Sequence, residues 1–104
     1  MLWRWVEIRA YPERADIVCS LLAEQAKRVR RFPGCLALSL YRGENADFYS
    51  LSLWESPEAL EAYRQSEIFR SFWLIIKKHF RAPAKAVSFE KVSLPKIEFP
   101  SYPA

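Results

Sequence analysis

At 104 residues the chain is one domain's length, enough to bury roughly two-thirds of its unfolded surface in a single core. A composition of 51% hydrophobic residues, with 4 Trp, 5 Tyr and 7 Phe, excludes a disordered chain. A net charge of +4 with 27% charged residues excludes a dense basic arm for nucleic acid and describes a modestly basic surface.

Residues 2 to 10 alternate in part, with Leu2, Val6, Ile8 and Ala10 on one side and Trp3, Trp5, Glu7 and Arg9 on the other. This pattern predicts a strand apolar on much of both faces, as a central strand is. Pro12 suits a first helical turn. Ile17, Val18, Leu21, Leu22, Val29 and Phe32 then recur at helical spacing, while Arg14, Glu24, Lys27, Arg28 and Arg31 take the solvent side, predicting a helix from about 13 to 31. Pro33 and Gly34 end it. In 35 to 42, Leu36, Leu38 and Leu40 alternate with Cys35, Ala37, Ser39 and Tyr41, a strand. A turn over Gly43 to Asp47 leads to its hairpin partner at 47 to 55, where Tyr49, Leu51 and Leu53 oppose Phe48, Ser50, Ser52 and Trp54. Ser56 and Pro57 form an N-cap and first helical position for a helix to about residue 80. Ser66 marks a break, after which Phe69, Phe72, Trp73, Ile76 and Phe80 line one face. Residues 86 to 92 read as a fourth strand. The tail 93–104, with three prolines and the anchors Leu94, Ile97, Phe99 and Tyr102, is expected to be extended and docked, a segment apart from the domain at 1–92.

The order β-α-β-β-α-β describes an α+β, ferredoxin-like fold: a four-stranded antiparallel sheet with two helices on one face and strands one and three in the centre. The open face of such a sheet is polar in a monomer. Here it is apolar, so a homodimer through that face is expected, burying on the order of 2,000 Å² or more.

The stretch RFPGCLALSLYR, followed by FYSLSLWESPEALEAYRQSEIFRSF, closely resembles the antibiotic biosynthesis monooxygenase domain of the dimeric α+β barrel superfamily. The likeness spans residues 5 to 92. It rests on the helix ending in Pro33, Gly34 and Cys35, on Trp54 followed by an acidic residue, and on a helix carrying Ala59, Leu60, Tyr63, Ser66 and Phe69. It implies a homodimer whose sheets close into one barrel, a fold that hosts several chemistries. Members of the cofactor-free branch, which oxidise phenols and hydroquinones to quinones, carry an Asn four residues before the strand Trp and a Tyr six after it. Trp54 matches, but Ser50 and Leu60 stand at those two positions. Ser50 can donate or accept a hydrogen bond; Leu60 can do neither, and Tyr63 substitutes only if it faces the same cavity. The haem-degrading branch has a Trp where this chain has Tyr63, a ligating His where it has Trp73, and an Asn on strand one, all absent here. Trp73 cannot bind iron, and His79 lies about 240° around the helix from it. Haem degradation is therefore disfavoured, and no cofactor is expected.

The residues themselves suggest a cavity. Ser50 and Ser52 are small, bracketed by Phe48 and Trp54, and Cys35, Ala37 and Ser39 are expected on the matching side of strand two. Tyr63, Phe69, Phe72 and Trp73 of the second helix face them, so the candidate pocket for a small aromatic ligand comprises Ser50, Ser52, Trp54, Tyr63, Phe69, Phe72 and Trp73. The competing reading is that these aromatics fill the space the serines leave. No catalytic residue is identified.

Other signals exclude more than they assign. Cys19 and Cys35 lack CxxC spacing and are read as reduced core or interface residues. The single histidine, His79, is read as an exposed capping cation, and no metal site is expected. The run Lys27, Arg28, Arg30 and Arg31 is a solvated helix end. Glu7 and Arg9, charged on an interior strand, are expected to pair or to sit at a barrel mouth. No nucleic-acid partner is expected at this charge density, and no membrane partner, because the longest apolar run, Phe72 to Ile76, is too short to span a bilayer and MLWRWVEIRA has charges inside any signal-peptide core. The cytoplasm is the expected location. Two functions remain: a cofactor-independent monooxygenase-like enzyme acting on a phenol- or hydroquinone-type substrate, or a non-catalytic dimeric ligand-binding, stress or regulatory module.

Overall fold

The computed structural model describes residues 1–92; the expected docking of the 93–104 tail lies outside the described residues. Four strands form one antiparallel sheet: β1 (Leu2–Arg9), β2 (Cys35–Arg42), β3 (Asp47–Trp54) and β4 (Lys85–Phe89), in the order β2-β3-β1-β4. Helices α1 (Ala15–Val29), α2 (Pro57–Arg64) and α3 (Glu67–Ile76) cover one face, giving the α+β ferredoxin-like arrangement. No helix among the described residues is long and apolar enough to cross a membrane.

Local chemistry sets most boundaries. Pro12 opens a short 3-10 turn, Pro12–Arg14, before α1. The inward stripe of α1 is Ala15, Val18, Leu22, Gln25 and Val29, at helical spacing. Ile17, expected on that stripe, is exposed, as is Cys19, which therefore belongs to no core in the protomer. Gly34 takes φ +88 between α1 and β2, and a β-carbon there would meet the Ala59 Cβ at 2.5 Å. The predicted second helix is two: Ser56 Oγ accepts the Ala59 N–H at the start of α2, and Ser66 Oγ accepts the Phe69 N–H at the start of α3. The fourth strand begins and ends earlier than expected. Antiparallel to β1, it pairs from Lys85 opposite Glu7 to Phe89 opposite Trp3.

Register corrects one expectation. Directly opposed residues of an antiparallel pair share a face, and Leu38 lies opposite Ser52 while Leu40 lies opposite Ser50. The two leucines therefore accompany the serines beneath the helices, while Ala37 and Ser39 join Leu53 and Leu51 on the open face. Leu36 falls within a register shift between Cys35 and Ala37 and remains 46% exposed.

Under the helices the core forms two clusters. One gathers Ile8, Val18, Phe48 and Ile76; the other gathers Leu2, Val29, Trp54, Leu60 and Tyr63. On the opposite face Trp5 stacks on Tyr49, ring centroids 5.4 Å apart, and lies 6.4 Å from Tyr41. Glu7 sits there opposite Lys85 and accepts a 3.3 Å hydrogen bond from the Trp5 indole.

Candidate functional site

Members of both core clusters line a cavity of about 100 Å³ between the sheet and the helices. The sheet contributes Ser50, Ser52 and Trp54 from β3, Leu38 and Leu40 from β2, and Arg4, Val6 and Ile8 from β1. The helices contribute Tyr63 from α2 and Phe69, Phe72 and Trp73 from α3. All seven pocket candidates named from the sequence thus line one space, and Leu60 lines it with them.

Two local features build the aromatic wall. Trp54 ends β3, 1% exposed, with Tyr63 stacked on it at 5.3 Å and 25°. The break at Ser66 then swings the chain so that Phe69, in the first turn of α3, meets the Tyr63 ring edge-on at 5.3 Å. Ser66 Oγ donates to the Tyr63 carbonyl at 2.6 Å, tying the end of α2 to the cap of α3. Phe69 stacks in turn on Trp73 at 5.5 Å. The aromatics pack on one another and still leave space above the serines. A residue larger than serine at 50 or 52 would project into it.

The polar groups of the wall are few and mostly engaged. The Trp54 indole donates to Ser52 Oγ at 2.9 Å. Gln25 of α1, 4% exposed, donates from Nε2 to the Tyr63 hydroxyl at 2.8 Å and to the Ile68 carbonyl at 3.3 Å. Burial pushes the Tyr63 phenol above its ordinary pKa, with the Gln25 hydrogen bond opposing the shift. Burial likewise raises the Cys35 thiol, so it is not a poised thiolate. No Asp, Glu or His lines the cavity among the described residues. His79 lies in a 3-10 turn after α3, away from the cavity. It is half-buried rather than an exposed capping cation, and its Nδ1 has no partner among the described residues. Those residues contain no group of three or more His, Cys, Asp or Glu able to hold a metal ion.

Sequence reasoning missed Gln25 and Arg4. Each carried a signal: Gln25 interrupts the apolar stripe of α1 at helical spacing, and Arg4 shares the parity of Leu2, Val6 and Ile8.

A profile of the antibiotic biosynthesis monooxygenase family matches residues 1–73. The chain belongs to that family. A search of the curated proteins finds no match. Among solved structures, the chain is similar to a crystal structure of an antibiotic biosynthesis monooxygenase, at 27% identity over 89% of this chain and 100% of that one, TM-score 0.84. It also resembles PA3566 from Pseudomonas aeruginosa (22% identity, 88% and 94% covered, TM-score 0.80) and a conserved protein from Methanosarcina mazei Go1 (15% identity, 88% and 94% covered, TM-score 0.81). These last two likenesses show the shared fold.

Proposed function

We propose that this family member is a cofactor-independent monooxygenase-like enzyme acting on a small aromatic substrate of the phenol or hydroquinone type. The observation that supports it is the aromatic-walled cavity, with Ser50 and Tyr63 among its hydroxyls, in a chain of this family. At about 100 Å³ the cavity is about two-thirds of the roughly 150 Å³ space that holds one benzene ring, so a ring seats in part and its remainder extends past the rim. A phenol that takes one oxygen atom of O₂ on its ring and loses two hydrogens becomes a quinone, the other oxygen leaving as water. The substrate itself supplies the electrons. The protein's contribution is to desolvate the ring between Trp54, Phe69 and Trp73, hold it in one orientation, and offer Ser50 as hydrogen-bond partner to its oxygen.

The same reading includes a homodimer. In one protomer the open face leaves Tyr41 49%, Val87 51% and Phe89 43% exposed beside the half-buried Trp3, Trp5, Tyr49 and Leu51. An apolar face of that breadth calls for a second sheet. Two cysteines left as free thiols suit the cytoplasm.

One observation favours a binding module without turnover. Ser52 and Tyr63 already accept hydrogen bonds from Trp54 and Gln25, and among the described residues no carboxylate or imidazole stands at the cavity as a base. Oxygen uptake with a panel of hydroquinones and anthrones separates the two. Turnover that is lost in Ser50→Phe, which fills the cavity, supports the enzyme; protection from unfolding by the same compounds without oxygen uptake overturns it in favour of the binding module.

A further inference from the structure

Arg4 is the cationic side chain of the cavity lining, on the helix-side face of β1. Its cross-strand neighbours are Ser52 of β3 and Ser88 of β4. Its Nη1 donates to Ser88 Oγ at 2.9 Å, the one hydrogen bond it makes among the described residues, although a guanidinium carries five N–H donors. A serine hydroxyl holds the group in place without neutralising it. Among the described residues no carboxylate lies within ion-pair distance of Arg4.

The charged groups that act on Arg4 stand on α2. Glu61 is already engaged, by Arg64 at 3.2 Å and by Gln65 at 2.8 Å, and Arg64 adds like charge. Partial burial first, and Arg64 second, lower the Arg4 pKa, yet a guanidinium remains cationic throughout the working range. A partly desolvated cation with unused donors beside an apolar cavity is an unfavourable arrangement that an anion relieves. On the same face, Ser52 accepts from the Trp54 indole and keeps its hydroxyl proton to donate.

We propose that Arg4 is the specificity-determining residue of this cavity, selecting aromatic ligands that carry an anionic oxygen, a phenolate or an arene carboxylate. The ring packs against Trp54, Phe69 and Trp73 while Arg4 meets the charge at the sheet. The assignment rests on the cavity being a binding site, and it adds the ionisation state of the ligand. For a phenol it means that the electron-rich phenolate is the form held.

The test uses 4-nitrophenol, whose phenolate is yellow, and its neutral methyl ether 4-nitroanisole, with binding read by quenching of tryptophan fluorescence. Phenolate is expected to bind about tenfold tighter than phenol, which lowers the pKa of bound 4-nitrophenol by about one unit. Tyr63 does not confuse the titration, because burial holds its phenol protonated above the ordinary tyrosine value. Arg4→Gln and Arg4→Met are expected to abolish the shift, Arg4→Lys to keep part of it, and all three to bind 4-nitroanisole as the wild type does. Added salt weakens the wild-type phenolate preference, a readout that needs no variant to fold. A wild type that leaves the pKa of bound 4-nitrophenol unshifted, or a shift that persists in Arg4→Gln and Arg4→Met, overturns the proposal and leaves the cavity reading intact. Variants that lose 4-nitroanisole and 4-nitrophenol in step also overturn it, since Arg4 would then only shape the wall. If the wild type binds neither compound, the cavity reading falls and this proposal with it.

Discussion

The buried pair Gln25 and Tyr63 offers a quantitative test of how the cavity wall is held. Gln25 Nε2 reaches the Tyr63 hydroxyl at 2.8 Å and the Ile68 carbonyl at 3.3 Å, and the two residues are 4% and 8% exposed. Tyr63→Phe leaves the Gln25 amide with only the longer bond; Gln25→Leu leaves the Tyr63 hydroxyl without its protein partner. Each single change strands a buried polar group, at a cost of about 1–3 kcal/mol. The double variant strands neither group, so it should fall short of the sum of the singles by about 1–3 kcal/mol. In a domain of this length 1 kcal/mol moves the Tm by about 4–8 °C, which makes the difference measurable. Urea denaturation at one fixed protomer concentration is the assay, because association would shift apparent stability by mass action. An alkaline arm checks the same group. The folded-state pKa of Tyr63 is raised by burial, so the folded state keeps its proton longer than the unfolded chain. Stability therefore declines as pH rises above the ordinary tyrosine value of about 10, and Tyr63→Phe should lack that part of the decline. Strict additivity of the two substitutions would refute the argument.

Two further predictions concern the frame around the cavity. Gly34→Ala should destabilise by more than the ~1–2 kcal/mol that a left-handed residue costs, because the new methyl also meets the Ala59 Cβ at 2.5 Å. Ala59→Gly in the same chain should recover only the steric part, as read by urea midpoints, and complete recovery would show that the backbone conformation costs nothing. Leu51→Arg places a charge at the centre of the open sheet face and is expected to convert a dimer into a monomer in sedimentation at micromolar concentration. A wild type that sediments as a monomer would remove the dimer from the proposed function.

Much of this architecture is written in local periodicity. The period of two in β1 and β3, the helical recurrence in α1, and the serine caps at 56 and 66 each depend on a few neighbouring residues, so they are visible without any tertiary contact. The face shared by Ser50, Ser52 and Trp54 follows from strand alternation alone, and the aromatic face of α3 from helical phase. The cavity's composition does not follow in this way. Whether Leu38 or Ala37 lies beside Ser52 depends on the β2–β3 register and its shift after Cys35, and a shift of one residue exchanges the faces of a strand. Gln25 meets Tyr63 across 38 residues of chain only because α1 packs beside α2 and α3 on one face of the sheet. Arg4 stands in an apolar row as an ordinary interruption until β1 is seated between β3 and β4, with a serine on either side of it. Pattern along the chain determines which face a side chain takes within its own element, because that geometry is set by a few bonds. What opposes it from another element is decided by packing, where strand register and helix docking bring together residues that no local rule connects.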